Sequence, residues 1–243
     1  MQSRILRPGN SGPFVRDLQL ALNSRLNPSP NLMINGIYDQ PTVRAVRAFQ
    51  LAKWLEVDGI AGPCTLDAVY ETEQSRPILH NVQFLTQPTE TTCWAAATAM
   101  VLGAAISAIR MRTPASLLAG DGGLLNESEA GASLNVHQTF ARIHGLRYHA
   151  PQSWRVDGLM QMLSSGPLMM ELLWNPRSFR QGRGSSGHYY VIVGARGSHG
   201  PDGQSTTLRI YNPYPVGQGV ILSKSYASLL RDIPLATYGI MSL

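Results

Sequence analysis

Apolar positions follow two different rhythms along this chain, and the rhythm changes near residue 76. In the first part Val15, Leu18, Leu22 and Leu26 recur at helical spacing, and Val43, Val46 and Phe49 do so again. Each set marks a short amphipathic helix with one buried stripe. From Val82 onward the texture shifts. The alanine-rich run Cys93 to Ile109 reads as one buried helix. It is followed by strand-like runs at Pro167 to Trp174, His188 to Ala195, Thr206 to Tyr211, Gly219 to Leu222 and Thr237 to Ser242. Helical periodicity also marks Leu134 to His144 and Val156 to Leu163. Strands of this length with turn residues between them predict an antiparallel sheet packed on helices, hence an α+β fold. The glycine-rich stretch Ala119 to Ser133 predicts a long surface loop.

The break at Glu71 to Pro77 carries serine and proline and separates the two styles, so two domains are expected, residues 1–75 and 76–243. The first contains an internal echo at an offset of 23 residues. Gly36-Ile37 matches Gly59-Ile60, Thr42-Val43 matches Thr65-Leu66, and Ala45-Val46 matches Ala68-Val69. Each copy opens on Asn-Gly or Asp-Gly, where glycine admits positive φ, and then sets Pro41 or Pro63 in a first helical turn.

Composition narrows the classes. A net charge of +5 favours polyanionic surroundings, which include nucleic acid, anionic lipid and the bacterial wall. The basic residues are scattered rather than clustered, which argues against nucleic acid. No apolar run reaches the roughly 18 residues of a membrane span, and no secretory signal stands before Pro8 and Gly9. The two cysteines, Cys64 and Cys93, lie in unrelated contexts and do not read as a disulfide framework. No His-Glu-x-x-His pattern occurs, so neither metal nor other cofactor is expected.

The chemistry concentrates at Gln87-Pro88-Thr89-Glu90-Thr91-Thr92-Cys93-Trp94-Ala95. A cysteine opening a helix meets unpaired backbone N–H groups that favour thiolate, the nucleophilic form. Its base should be an imidazole. His188 follows Gly182-Arg183-Gly184-Ser185-Ser186-Gly187 and opens an apolar strand, so its side chain can reach a cleft. Asn212, ending another strand, is placed to orient the ring. Gln87, six residues before Cys93, can donate to a developing oxyanion. Trp94 and Glu171 are expected to line the substrate cleft; for Glu171, an acid in an apolar strand, the alternative is an edge strand pointing it to water.

Two resemblances follow from these residues. Leu6-Arg7-Pro8-Gly9, Val15-Arg16-Asp17-Leu18-Gln19, Phe49-Gln50 and Val57-Asp58-Gly59-Ile60-Ala61-Gly62-Pro63 resemble the three-helix peptidoglycan-binding domain over residues 4–70. The order Gln87, Cys93-Trp94, Gly187-His188 and Asn212-Pro213 resembles papain-like cysteine peptidases over residues 80–243, in the compact bacterial branch of bacteriocin-leader and AvrRpt2-type proteases. Asn212 replaces the aspartate common in that branch. Together they imply a small three-helix domain and a papain-like domain with a central helix on an antiparallel sheet, cleaving amide bonds in the peptide part of peptidoglycan. The lack of a visible signal peptide suggests either an antibacterial effector made in the cytoplasm, exported by a type VI-like route to a target cell's periplasm or wall and held in check by a cognate immunity protein, or a phage-type lysin released through holes in the membrane. The competing readings are a wall-anchored protease acting on proteins and a non-catalytic wall-binding protein.

Overall fold

The computed structural model describes residues 5–72, 76–125, 135–173, 187–198, 203–232 and 238–243. Residues 126–133 of the expected loop, Leu134 of the expected helix after it, the glycine-rich stretch 182–186, Trp174 and Thr237 lie outside them. The chain divides into two compact units. One comprises Met1–Pro77, Ala195–Leu208 and Ser223–Ser228; the other comprises Ile78–Gly194, Arg209–Leu222 and Leu229–Leu243. The units are therefore not contiguous in sequence, and the first segment of the one ends at Pro77.

The first unit is built on α1 (Pro13–Arg25), α2 (Gln40–Ala52) and α3 (Pro63–Tyr70). Leu18, Leu22, Val46, Phe49, Leu55 and Ala61 fill its core. The sequence echo has a polar counterpart that hydrophobic periodicity does not reveal. Gln19 on α1 donates through Nε2 to Asn35 Oδ1, the Ile37 carbonyl and Thr42 Oγ1, while its Oε1 accepts the Gly36 N–H. Gln50 on α2 repeats the arrangement with Asp58 Oδ1, the Ile60 carbonyl, Thr65 Oγ1 and the Gly59 N–H. Each buried glutamine ties a helix to the turn that launches the next one. At Gly36 and Gly59 φ is +74° and +78°, and an added Cβ would strike Arg16 or Arg47, so glycine is required twice by the same geometry.

A buried amide that serves four partners is a point of failure, because removing it orphans several desolvated groups at once. Gln50→Ala is expected to destabilise the first unit by about 3 kcal/mol. Chemical denaturation followed by the fluorescence of Trp54 would measure it. A loss below about 1 kcal/mol would mean that water replaces the amide.

In the same unit Arg196 lies over the Trp54 ring, 5.2 Å from its centroid, and donates to the Lys53 carbonyl. Glu56 accepts from the Ser225 N–H and Ser228 Oγ.

The sheet is seven-stranded. Its strands are β1 (Ile78–Leu79), β2 (Arg147–Gln152), β3 (Leu168–Leu173), β4 (Gly187–Gly197), β5 (Thr206–Asn212), β6 (Val220–Ser225) and β7 (Tyr238–Ser242). They run β2-β7-β3-β4-β5-β6, with β1 paired to β4. β3 is antiparallel to both neighbours, with Leu172 opposite His188 and Glu171 opposite Tyr189. The α+β class expected from the sequence is the class observed.

Against one face of this sheet lies α4 (Cys93–Leu102), buried on every side from Cys93 to Val101. Its alanines explain how it sits so close: a helix with small side chains all round can be enclosed rather than merely docked. Cys93, Trp94, Ala97 and Met100 share a core with Met169, Tyr189, Val191, Val193 and Met241. The expected single helix to Ile109 is in fact two. Gly103 takes φ +62° and ends α4, and α5 (Ile106–Arg112) leaves at 110°. No single described helix is long and apolar enough to cross a membrane.

Among the described residues the remaining α-helices are α6 (Val136–His144), α7 (Val156–Ser165) and α8 (Tyr226–Asp232). α8, with β1 and β2, was not legible in the apolar pattern. β2 reads Arg-Tyr-His-Ala-Pro-Gln and is mostly exposed, as an edge strand with one neighbour can be.

Candidate active site

Four of the sequence-predicted residues converge in the second unit. Cys93 is the first residue of α4, entered through Thr92. The approach is a knot of short bonds: the Thr89 N–H and Oγ1 both meet Thr92 Oγ1, and the Thr92 N–H returns to the Thr89 carbonyl. Gln87 anchors the knot. Its N–H donates to the Pro213 carbonyl, its carbonyl accepts from Gly217, and its side-chain Nε2 donates to the carbonyls of Thr89 and Glu90 at 2.7 and 3.1 Å. Gln87 is thus fully buried and orders the loop that delivers the cysteine. Both of its amide hydrogens are directed at those carbonyls, so the arrangement differs from the expected donor aimed at an oxyanion; Oε1 is buried without a partner.

The geometry fixes the protonation of His188. Asn212 Oδ1 accepts the Tyr214 backbone N–H at 3.0 Å, and only an oxygen can do so. The same oxygen lies 2.8 Å from His188 Nε2, so Nε2 carries the hydrogen. In the neutral ring Nδ1 is then the basic nitrogen. Tyr190 and Tyr214 flank the imidazole edge-on, with centroids 5.1 and 6.2 Å away. Tyr189, the next residue on β4, puts its backbone N–H on the Cys93 sulfur. Cys93, at the start of α4, therefore touches the residue next to His188 on β4.

Burial dominates the electrostatics. It pushes the Cys93 thiol up, although the N–H groups of Tyr189, Trp94 and Cys93 itself point at the sulfur and pull the other way. It also pulls His188 down to about 4, against the opposing bond from Asn212. The helix-terminus argument predicted a stabilised thiolate; with the thiol 5 % exposed, loss of water outweighs those N–H groups. The resting pair is neutral.

Trp94 is placed otherwise than expected. Trp94 is buried at 1 % exposure, packs edge-on against Phe140, and donates its indole N–H to the Gly122 carbonyl. It holds the 119–124 segment to the core instead of presenting a face to substrate. Glu171 sits on β3, an interior strand, which removes the edge-strand alternative. Its Oε1 is 3.1 Å from His137 Nε2, and His137 stacks on Tyr148 at 5.5 Å. A neighbouring glycine makes room for the carboxylate: a Cβ on Gly239 would stand 2.9 Å from Oε2. The His137 partner was missed in the sequence, where nothing links positions 34 residues apart.

Both cysteines are free. Among the described residues no group of three or more His, Cys, Asp or Glu side chains is gathered to hold a metal ion.

The comparisons agree with this architecture. Residues 11–69 match the peptidoglycan binding domain, and residues 72–224, more than half of the chain, match the papain-like cysteine protease AvrRpt2. Over 71 residues the chain is 38% identical to the zinc D-Ala-D-Ala carboxypeptidase of Streptomyces albus G, which covers 29% of this chain and 28% of that protein. The chain thus spans little more than a quarter of that relative. It is also 26% identical to the Burkholderia AP3 phage endolysin in a solved structure, over 49% of this chain and 42% of that one; the TM-score of 0.27 is too low to bear on the fold. With residues 72–224 matched to it, the chain belongs to the AvrRpt2-type papain-like cysteine proteases, joined to a peptidoglycan binding domain.

Proposed function

We propose that the chain is a cysteine hydrolase that cuts amide bonds in the peptide part of peptidoglycan, with Cys93 as nucleophile, His188 as base and acid, and Asn212 as the group that orients the ring. The observation that carries this reading is the bond from His188 Nε2 to Asn212 Oδ1, with the next residue's N–H on the Cys93 sulfur. Nδ1 takes the thiol proton as sulfur attacks the carbonyl carbon, and returns it to the departing amine. A water, deprotonated by the same nitrogen, then releases the acyl group from sulfur. The oxyanion is met by first-turn N–H groups of α4. Gln87 joins them by giving up one of its loop carbonyls when substrate binds. Because the resting pair is buried and neutral, charge separation develops only as the carbonyl begins to share it.

The match to a peptidoglycan binding domain favours a wall substrate. A tethered module raises the local concentration of an insoluble polymer without adding chemistry. Glu171, with His137 beside it, forms the wall of the cleft next to Tyr189. Delivery as an antibacterial effector, with an immunity protein seated over Cys93, is the finer form of the proposal.

Purified sacculi incubated with wild type and with Cys93→Ala, followed by mass analysis of released muropeptides, tests the reading. New amine termini made only by wild type are expected. Cleavage of proteins without change in muropeptides would replace it by the wall-anchored protease, and no cysteine-dependent product would end it.

A further inference from the structure

We infer that the cleft is extended by a sugar-binding subsite at the start of α7, which holds the glycan strand of the wall while its peptide lies at Cys93; this rests on the wall-substrate reading. A solvent-open cavity of 360 Å³ lies where β2 runs into α7, within the size range of ligand pockets. Trp154, Gln152, Gln161 and Ser153 are among its lining residues. Arg155 and Asp157 pair at its lip, Nε to Oδ1 3.1 Å.

That lining selects by chemistry. An aliphatic side chain would leave the polar half of the wall without partners, and a phosphate would meet Asp157 as well as Arg155. A sugar offers C–H faces to an indole and hydroxyls to groups that both donate and accept, as carboxamides and serine do. The indole is also held ready: Nε1 donates to the Tyr238 carbonyl at 2.8 Å and the ring meets His149 edge-to-face. A wall fixed in advance loses little freedom on binding.

A second observation points to a ligand. Gly158 lines the cavity from within α7, and an added Cβ would meet nothing within 4 Å. Its φ is not in the left-handed region. Nothing in packing or backbone demands glycine there, and glycine is among the residues a helix accommodates least well. Its effect is to keep the cavity open.

The position suits a branched polymer. Tyr238 is paired with Gln152, and Leu172 with His188. Continuing the register of Met170 with Ile240 brings Leu172 beside Tyr238. His188 and the cavity thus stand in one row across the sheet, three strand spacings or roughly 14 Å apart.

The test uses the full chain labelled with nitrogen-15 and peptide-free glycan strands. The indole signal of Trp154, assigned by its loss in Trp154→Phe, is expected to shift and saturate with added glycan. In Gly158→Leu, which fills the cavity, the affinity behind that shift should fall at least tenfold, with a melting temperature no lower than wild type. The same variant should lower at least tenfold the ratio of kcat/KM for sugar-bearing over sugar-free stem peptide. A Trp154 signal unmoved by glycan, an undiminished shift in Gly158→Leu, or an unchanged ratio overturns the subsite. Failure of the wall-hydrolase reading looks different: neither peptide is cut, whatever the indole signal does.

Discussion

Alanine at position 188 is expected to leave less than about one thousandth of wild-type turnover, the scale on which a positioned acid–base group and the nucleophile it activates act together. Two features raise the stakes here. The thiol is buried and pushed up, so it has no standing thiolate to fall back on when the imidazole is gone. The leaving amine also loses its proton donor. Folding should survive, because Asn212 Oδ1 keeps the Tyr214 N–H and the ring departs from between Tyr190 and Tyr214. Single-turnover cleavage of a purified muropeptide, with circular dichroism as the control for folding, measures the loss. Combining His188→Ala with Cys93→Ala should add almost nothing to either alone, as for any unit that works as one device. Asn212→Ala should cost less, since it frees the ring to adopt the wrong tautomer without removing it. Turnover within tenfold of wild type in His188→Ala would remove this imidazole from the chemistry.

The residues proposed to carry this chemistry each sit where chain grammar changes. Cys93 begins an apolar helix, His188 begins an apolar strand, and Asn212 ends one. Such boundaries survive in sequence because the run beside them is buried. The turn glycines at 36 and 59 were legible for a related reason, since positive φ leaves little choice of residue. What stayed hidden depends on partners distant in the chain. The Gln19 and Gln50 amides look like ordinary helix residues until their turns fold over them. Glu171 looked like an acid out of place; His137, brought in by α6, gives it company in an interior strand. Trp94 was misjudged because its neighbour Cys93 drew it into the site, whereas one step along a helix turns a side chain by about 100° and here sends the indole into the core. The electrostatic sign of the pair was hidden too. A helix start predicts stabilised thiolate, and only the burial of both groups reverses it.

That reversal gives the second large effect. The catalytically competent pair holds one proton between sulfur and imidazole, so activity requires loss of the imidazolium proton and retention of the thiol's. Burial sets the first event near pH 4 and the second above the ordinary thiol value of about 8.5. The rate should therefore be flat from mildly acid to alkaline pH, fall about tenfold per unit below pH 4, and fall again only in strong alkali. An exposed thiolate–imidazolium pair gives a similar profile with the groups exchanged, and thiolate absorbance at 240 nm tells them apart. In this protein the Cys93-dependent absorbance should emerge only on the alkaline limb; emergence near pH 4 would show that the ion pair already exists at rest. Stability follows the same proton. His188 binds it more weakly folded than unfolded, so its contribution is fully present above about pH 6.5 and is lost as pH falls toward 4, an interval of about 3 kcal/mol. His144, also pulled down chiefly by burial, adds loss in the same direction. His188→Asn should flatten that acid slope in a denaturant titration by a similar amount, and an unchanged slope would mean that the buried ring is not neutral.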